Sequence, residues 1–270
     1  MIRFDDLPTV RWSVHVSDVD TGQVLLSDHP DLALDTASVG KLFLLHTLLT
    51  EVDAGVRSLT DQVTRLPSDW MENSGLWYRL RVDTLSLYDI GALIGAVSDN
   101  AATNTLLRVI GLDAVRAHTR EIGFTASALD DRVRWPLAPG DPRTLSHGTG
   151  RELASFCAAL ARGEGLSPAS ADTFRRWLGA STDLSMVASA FGLDPLAHDE
   201  YDRGIWLWNK TGTISVVRAD VGVAMSHDRR IAYAVLAQWE RGVDIRDAVL
   251  ARMREVGMLI REELGAGRPD

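Results

Sequence analysis

The chain has 270 residues, of which 46% are hydrophobic, and it carries a formal net charge of −9 with a pI near 5.3. A chain of this length and composition can bury a sizeable core, which excludes an intrinsically disordered protein and predicts one large domain or two closely packed lobes. The acidic balance also excludes nucleic acid and anionic membranes as expected partners, because both bind basic surfaces.

The first elements of the chain are predicted to be strands. Residues 1–12, MIRFDDLPTVRW, contain two acids and no apolar run, and no later run reaches the ~20 apolar residues of a membrane span. We therefore expect a cytoplasmic protein, or a secreted one if a leader has been removed. Residues 11–28 then alternate between apolar and polar side chains around a turn at Asp20, Thr21 and Gly22, which predicts a hairpin.

The middle of the chain has helical periodicity. Between Ala37 and Arg176 the apolar spacing predicts helices near residues 38–50, 86–96, 100–110, 113–122, 149–162 and 168–178. Strand-like alternation returns over 204–226 and 229–240, and an amphipathic helix is predicted over 245–264.

These elements predict an α/β (α+β) fold. Because isolated hairpins are only marginally stable in water, we expect the strands from both chain ends to join in one antiparallel sheet flanked by helices. This α/β lobe would comprise about residues 1–36 and 190–270, with an all-helical lobe of about 37–189 inserted. The two lobes together would form a single catalytic domain over 1–270.

Ser38 and Lys41 place a hydroxyl and an amine three residues apart in TASVGKLFLLHTLL, at the head of an apolar helical run. Residues at this spacing share a helix face, and free N–H groups in a first turn favour a developing negative charge. A capping serine followed by a lysine that reaches water is the structural alternative. Composition favours chemistry, because only Lys41 and Lys210 are lysines among 28 Lys plus Arg. A lysine amine, unlike a guanidinium, can become neutral and act as a base.

Two further patterns carry polar groups. Lys210–Gly212, on a predicted strand, offers a cation, a hydroxyl and a position where a ligand could approach the backbone, and these groups would suit a carboxylate. Ser98–Asn100 lies between two predicted helices, so that a hydroxyl and an amide could point into a cleft. A surface lysine and ordinary helix capping are the respective alternatives. Any one of the three patterns can be explained by structure alone, but their combination cannot.

In this order and at these separations, S-V-G-K, S-D-N and K-T-G resemble the three motifs of the serine β-lactamase and penicillin-binding protein superfamily. The sequence is most similar to class A β-lactamases over roughly residues 12–264, including VDTGQVLLSDHPDLALDTASVGK, LSLYDIGALIGAVSDNAATNTLLRVIG and KTGTISVVRADVGVA. The resemblance implies a β-lactamase/transpeptidase-like fold with the same inserted helical lobe.

The resemblance also implies roles in acylation. Ser38 would be the acylated nucleophile, with Lys41 as its base or proton relay, and Ser98 would pass the proton to the leaving lactam nitrogen. The backbone N–H groups of Ser38 and Thr213 would form the oxyanion hole, a kind of contact worth roughly 3–4 kcal/mol of transition-state stabilisation.

Substrate binding is implied at a second set of positions. Lys210 and Thr211, with Gly212 beside them, would bind the substrate carboxylate, and Asn100 would hold the side-chain amide. Trp77 would be an aromatic wall of the site and Arg218 a further carboxylate anchor. These last two could equally be a packing residue and a surface residue.

One departure from the family concerns deacylation. Class A enzymes carry a loop glutamate that activates the hydrolytic water, whereas this chain passes from Arg134-Trp135 directly to Pro136 and has no glutamate between Glu121 and Glu152. The acid that usually follows near the end of the loop is replaced by Thr144. The titratable groups available there are Asp130, Asp131, Asp141 and His147, each also explicable as a turn or capping residue. We therefore expect acylation to survive better than deacylation.

Three classes of function remain open. The first is a serine hydrolase of β-lactams with slow deacylation, and the second is a covalent penicillin-binding or sensor-like protein without turnover. The third is a serine hydrolase for an ester, a peptide or the amide of glutamine, which the absence of a leader favours. A G-x-S-x-G elbow, a metal-ligand spacing of histidines and a phosphate-binding loop are all missing from the sequence. We expect no metal or cofactor, a small-molecule substrate and a monomer.

Overall fold

A five-stranded antiparallel sheet, built from both ends of the chain, lies at the centre of the computed structural model, which describes residues 2–198 and 204–265. Its strands are β1 (Val10–Asp18), β2 (Val24–Asp28), β3 (Trp206–Ile214), β4 (Val217–Met225) and β5 (Arg230–Trp239), in the order β2-β1-β5-β4-β3. The predicted joining of the two chain ends in one sheet is confirmed. The parts of the predicted α/β lobe at residues 1, 199–203 and 266–270 lie outside the described residues.

Both faces of the sheet are buried, because helices pack against each of them. Along β5, Ala232, Ala234 and Leu236 join the core shared with the helical segment, while the alternate residues Ile231, Tyr233 and Val235 join a second core beneath the C-terminal helix. This period of two follows from the opposite directions of successive side chains in a strand. The sheet therefore separates two hydrophobic cores.

Seven α-helices surround the sheet in the described residues, and their bounds follow the predicted periodicity closely. They are α1 (Lys41–Asp53), α2 (Leu87–Val97), α3 (Asn100–Ile110), α4 (Leu112–Glu121), α5 (Gly150–Ala161), α6 (Pro168–Gly179) and α7 (Arg246–Glu263). Side-chain oxygens of Ser86, Asp99, Thr149 and Ser167 cap the first turns of α2, α3, α5 and α6. None of these helices is long and apolar enough to cross a lipid bilayer.

The middle of the chain differs from the prediction in two respects. It is not all helical, because Leu34–Asp35, Ala128–Leu129 and Ser146–Gly148 form a small sheet, and Gln62–Thr64 pairs with Thr84–Ser86. The first helix also begins three residues later than predicted: residues 37–40 form a separate 3-10 turn before α1. These strands are two or three residues long, too short to produce a recognisable alternation in the sequence.

Candidate active site

A cleft of about 630 Å³ brings together most of the side chains that the motifs predict. Its walls come from the turn before α1, the junction of α2 and α3, a loop between α4 and α5, and the end of β3. The predicted residues that line it are Ser38, Ser98, Asn100, Lys210, Thr211 and Thr213. Segments far apart in the sequence therefore meet at one concave site.

Ser38 lies in the 3-10 turn Ala37–Gly40, where Ala37 has a left-handed φ of 49°. The buried hydroxyl of Ser146 stabilises this turn: it donates to Ala37 O over 2.7 Å, accepts the Gly40 N–H over 3.0 Å and lies 2.7 Å from Thr36 Oγ1. A Cβ at Gly40 would come within 2.3 Å of Ser146 Cβ, so only glycine permits this approach. Nothing in the sequence marks Ser146, because its partners lie more than a hundred residues away.

Gly212 does not line the cleft, which corrects its predicted role in substrate binding. A Cβ at this position would lie 2.0 Å from Thr36 O and 3.2 Å from Ser38 N. The missing side chain therefore admits the backbone of the nucleophile turn and not a ligand. The adjacent residue, Thr213, lines the cleft together with Ser38.

The Lys41 amine is completely buried and connects α1 to the junction of α2 and α3. Its Nζ donates to Ser98 O over 2.7 Å, to Ser98 Oγ over 3.0 Å and to Asn100 Oδ1 over 2.9 Å. Burial lowers the pKa of Lys41 well below its ordinary value, and the positive charge of Lys210 lowers it further, against an opposing effect of Asp99. A neutral amine can accept a proton, so Lys41 is suited to act as a base.

In the S-D-N segment, Ser98 and Asn100 line the cleft, whereas Asp99 caps and connects neighbouring segments. Ser98 adopts a left-handed conformation, with φ 53°, at the end of α2. Asp99 is buried and accepts hydrogen bonds from the N–H groups of Ala102 at 2.8 Å, Leu76 at 2.6 Å and Trp77 at 2.7 Å. The capping alternative therefore holds for Asp99, while its two neighbours line the cleft.

Lys210 is buried at the cleft wall, and its Nζ donates to Thr211 O over 3.0 Å. Burial lowers the pKa of Lys210 to about 8, although Asp183 and Asp220 each act to raise it. At neutral pH the side chain is thus mostly a cation. This charge is available to a ligand carboxylate and also disfavours protonation of Lys41.

Trp77 is fully buried and does not line the cleft, so it cannot form the predicted aromatic wall. Its indole N–H donates to Val82 O over 2.9 Å inside the core, and its backbone N–H donates to Asp99 Oδ2 over 2.7 Å. The aromatic side chain that does line the cleft is Trp135, which is 72% exposed.

Arg218 also lies outside the cleft lining. It is paired opposite Thr213 on β4, and its guanidinium donates to Ile214 O at 2.8 Å and Val217 O at 2.7 Å, stabilising the turn between β3 and β4. Both bonds come from Nη1 of the group that the resemblance assigned to a substrate carboxylate. Arg241, two residues after β5, lines the cleft instead, and nothing in its sequence context marks it.

The loop over residues 131–145 is held by polar contacts to α3 and within the loop itself. The side-chain amide of Asn104 bonds to both backbone groups of Val133: its Oδ1 accepts the Val133 N–H over 2.9 Å, and its Nδ2 donates to Val133 O over 2.8 Å. Arg134 pairs with Asp131 and, over 2.9 Å, with Asp141. Arg134 thus connects the beginning of the loop to its second half.

Of the four titratable groups considered for water activation, only Asp131 lines the cleft. Its Oδ1 accepts from Arg132 N and from Arg134, and its Oδ2 is buried with no hydrogen-bond partner among the described residues. Asp130 instead pairs with His147 over 2.8 Å, which raises the pKa of that histidine, and Asp141 accepts from Arg134. None of the four presents a free carboxylate or imidazole to the cleft.

Fold and cleft together define a β-lactamase-like protein. The sequence model of the beta-lactamase enzyme family matches residues 5–263, so the chain belongs to that family. It is a class A β-lactamase-like protein, and this membership supports a hydrolase of the serine β-lactamase type.

Solved structures of this architecture align over nearly the whole chain. An ancestral class A β-lactamase (GNCA) is 28% identical, with a TM-score of 0.79 over 94% of this chain and 95% of its own. A β-lactamase from Sphaerobacter thermophilus DSM 20745 is 23% identical, with a TM-score of 0.83 over 98% and 96%. A point mutant of PBP-A, solved as an acyl-enzyme complex with penicillin G, is 20% identical, with a TM-score of 0.80 over 97% and 92%. These similarities confirm the predicted fold.

Proposed function

We propose that the protein is a serine hydrolase that opens β-lactam amide bonds through an acyl-enzyme at Ser38 and releases the acyl group slowly. The observation that carries this proposal is the buried Lys41 amine, which bonds to Ser98 and Asn100 in the cleft that Ser38 lines. A buried lysine of lowered pKa beside serine hydroxyls is an arrangement that serves nucleophilic catalysis.

The groups of the cleft support the following route of acylation. Lys41, in the unprotonated form that its lowered pKa favours, takes the proton of Ser38 as the serine Oγ attacks the lactam carbonyl, and the N–H groups of Ser38 and Thr213 hold the oxyanion. The proton then passes through Ser98, which is hydrogen-bonded to Lys41, to the leaving nitrogen. Lys210 and Thr211 orient the substrate through its carboxylate, so that ring opening proceeds from one fixed pose.

Deacylation lacks comparable assistance. The ester carbonyl of the acyl-enzyme must be attacked by water, and Asp131, the one candidate base at the cleft, is engaged by Arg134 on one oxygen and buried at the other. General-base assistance is typically worth about 10²–10⁴-fold in rate. Without a general base, hydrolysis of the acyl-enzyme should be much slower than its formation.

The same observation favours a second candidate, a covalent penicillin-binding protein that is acylated and does not turn over. Both proteins would form the same ester at Ser38 and would differ only in its lifetime. The structurally similar PBP-A offers a precedent for a trapped ester, since a mutant of it was solved as an acyl-enzyme complex with penicillin G.

Intact-mass measurement after mixing with benzylpenicillin tests the proposal. We expect an adduct of one penicillin mass, located at Ser38 by peptide mapping and absent from a Ser38→Ala variant. Slow loss of the adduct with release of penicilloate supports the hydrolase, whereas an adduct that persists without product supports the binding protein. No adduct at millimolar penicillin, or a label at another residue, contradicts both.

A further inference from the structure

The cleft is cationic although the chain as a whole is acidic. The charged side chains that line it are Asp131, Asp183, Arg132, Arg134, Arg143, Lys210 and Arg241, which makes five cations against two carboxylates, on a chain with a net charge of −9. A concave site lined by one sign of charge concentrates ligands of the opposite sign. The positive charge is thus concentrated where a ligand would bind.

Three of these cations are not engaged by protein groups. Arg134 is paired with two carboxylates, but the exposed guanidinium groups of Arg132, Arg143 and Arg241 make no hydrogen bond or ion pair with any of the described residues. Lys210 already provides the cation that one substrate carboxylate needs. The cleft therefore has more unpaired positive charge than a substrate with a single carboxylate would use.

The three unpaired arginines lie on two different parts of the cleft wall. Arg241 lines the cleft with Ile214 and Ser215 at the end of β3, the strand that carries Lys210. Arg132 and Arg143 belong instead to the loop over residues 131–145, on a different segment of the wall. The loop cations are therefore separate from the strand that holds the first carboxylate.

An apolar surface accompanies the loop cations. Trp135 is 72% exposed and Leu137 is 42% exposed, and both line the cleft. Exposed apolar side chains of this size in a binding cleft offer contact area to an aromatic group of a ligand. Arginine suits the anionic part of such a ligand, because its planar guanidinium binds a carboxylate through two parallel hydrogen bonds.

We propose that the loop over residues 131–145 forms a second anion subsite, so that the preferred substrate carries an aromatic side chain with its own carboxylate in addition to the carboxylate that faces Lys210. Arg132 and Arg143 bind this second carboxylate, and Trp135 with Leu137 contacts the aromatic ring. This inference names the substrate class of the proposed function and rests on that function for the identity of the cleft.

A matched pair of penicillins tests the subsite. Benzylpenicillin and α-carboxybenzylpenicillin differ by one carboxylate on the carbon that carries the phenyl ring. Equilibrium binding is measured with the Ser38→Ala variant, which cannot be acylated, so that affinity is separated from chemistry. We expect the dianion to bind about tenfold more tightly at low salt, with the preference shrinking as ionic strength rises.

Variants identify the groups responsible. In the Ser38→Ala background, Arg132→Gln with Arg143→Gln should reduce the preference to near unity while leaving benzylpenicillin binding little changed. Arg120→Gln is the control, because Arg120 is an exposed arginine of α4 outside the cleft. Its replacement removes one positive charge, as each of the two loop substitutions does. This control should preserve the preference.

Equal or weaker binding of the dianion, or a preference that survives loss of both loop arginines, would overturn the second subsite. Acylation of wild-type protein by the same two penicillins is followed separately by mass. Preferential binding of the dianion without any adduct would uphold the subsite and reject the proposed hydrolase. An adduct with both penicillins and no binding preference would uphold the proposed hydrolase and reject the second subsite.

Discussion

Lys41 Nζ lies 3.0 Å from Ser98 Oγ and 2.7 Å from the carbonyl oxygen of the same residue, whereas Ser38 Oγ makes no hydrogen bond to any of the described residues. The amine is thus fixed toward the hydroxyl that would protonate the leaving group, and the nucleophile is free to rotate toward a substrate. Catalytic hydrogen bonds often tighten only when the substrate is bound. This arrangement makes Lys41 the first residue to test.

Replacing Lys41 with alanine should slow acylation by ~10²-fold or more, because a positioned general base contributes at least that factor. Lys41→Arg should restore little, since a guanidinium stays protonated and cannot accept the proton of Ser38. The rate of adduct formation with a penicillin, followed by rapid quench and mass analysis, provides the measurement. A Lys41→Arg variant that acylates at the wild-type rate would remove Lys41 from the role of base.

The pH dependence of acylation should reflect Lys210. Its pKa is lowered to about 8, so the amine is a cation below that pH and neutral above it. For a carboxylate-bearing substrate, the second-order rate constant of acylation should therefore fall as pH rises through about 8, because the cation that binds the carboxylate is lost.

Lys210→Arg should move this basic limb out of the accessible range, because arginine remains charged. Neutral ester substrates provide the control and should show no limb near pH 8 from this source. Lys210→Ala should weaken capture of carboxylate substrates much more than of neutral esters. Equal losses on the two kinds of substrate would instead assign Lys210 a structural role.

Turnover of a penicillin should begin with a burst of about one product equivalent per enzyme and continue in a slow steady phase. Asp131→Asn should leave the slow phase nearly unchanged, because this carboxylate is bonded to Arg134 and buried rather than free to activate water. Arg134→Gln breaks the same ion pair while keeping the carboxylate, and so controls for loosening of the loop. Rapid turnover without a burst, lost in Asp131→Asn and retained in Arg134→Gln, would identify Asp131 as the water-activating base.

Ser146→Ala should impair both stability and acylation. The substitution leaves Ala37 O and the Gly40 N–H without their buried partner, at a cost of about 1–3 kcal/mol. The turn that carries Ser38 should then lose its fixed geometry, and acylation should slow about tenfold or more, as expected when a reacting group is misplaced. Thermal unfolding and adduct formation are measured on the same samples.

The matched control is Ser127→Ala, which removes a buried hydroxyl that accepts from Thr149 N over 3.1 Å, away from the nucleophile turn. It should lower the unfolding temperature while leaving acylation nearly unchanged. If both variants slow acylation in proportion to their loss of stability, Ser146 has no specific effect on the nucleophile.

Local sequence patterns were enough to predict the sheet from both chain ends and the helices, while the catalytic and binding roles of Ser38, Lys41, Ser98 and Lys210 stay predictions. Apolar periodicity reports which face of each segment is buried, and a motif such as S-V-G-K keeps its groups together by short-range geometry. Five residues of the three motifs, Ser38, Ser98, Asn100, Lys210 and Thr211, line the cleft together with Thr213, the residue after K-T-G.

The roles of the remaining residues depend on tertiary contacts. Ser146 bonds to Gly40 across 106 positions, Gly212 is required because Thr36 approaches from another segment, and Trp77 lies in the core with its backbone N–H bonded to Asp99, 22 positions away. Contacts between distant segments depend on how the elements pack, and local spacing carries no information about which side chain then points into the cleft.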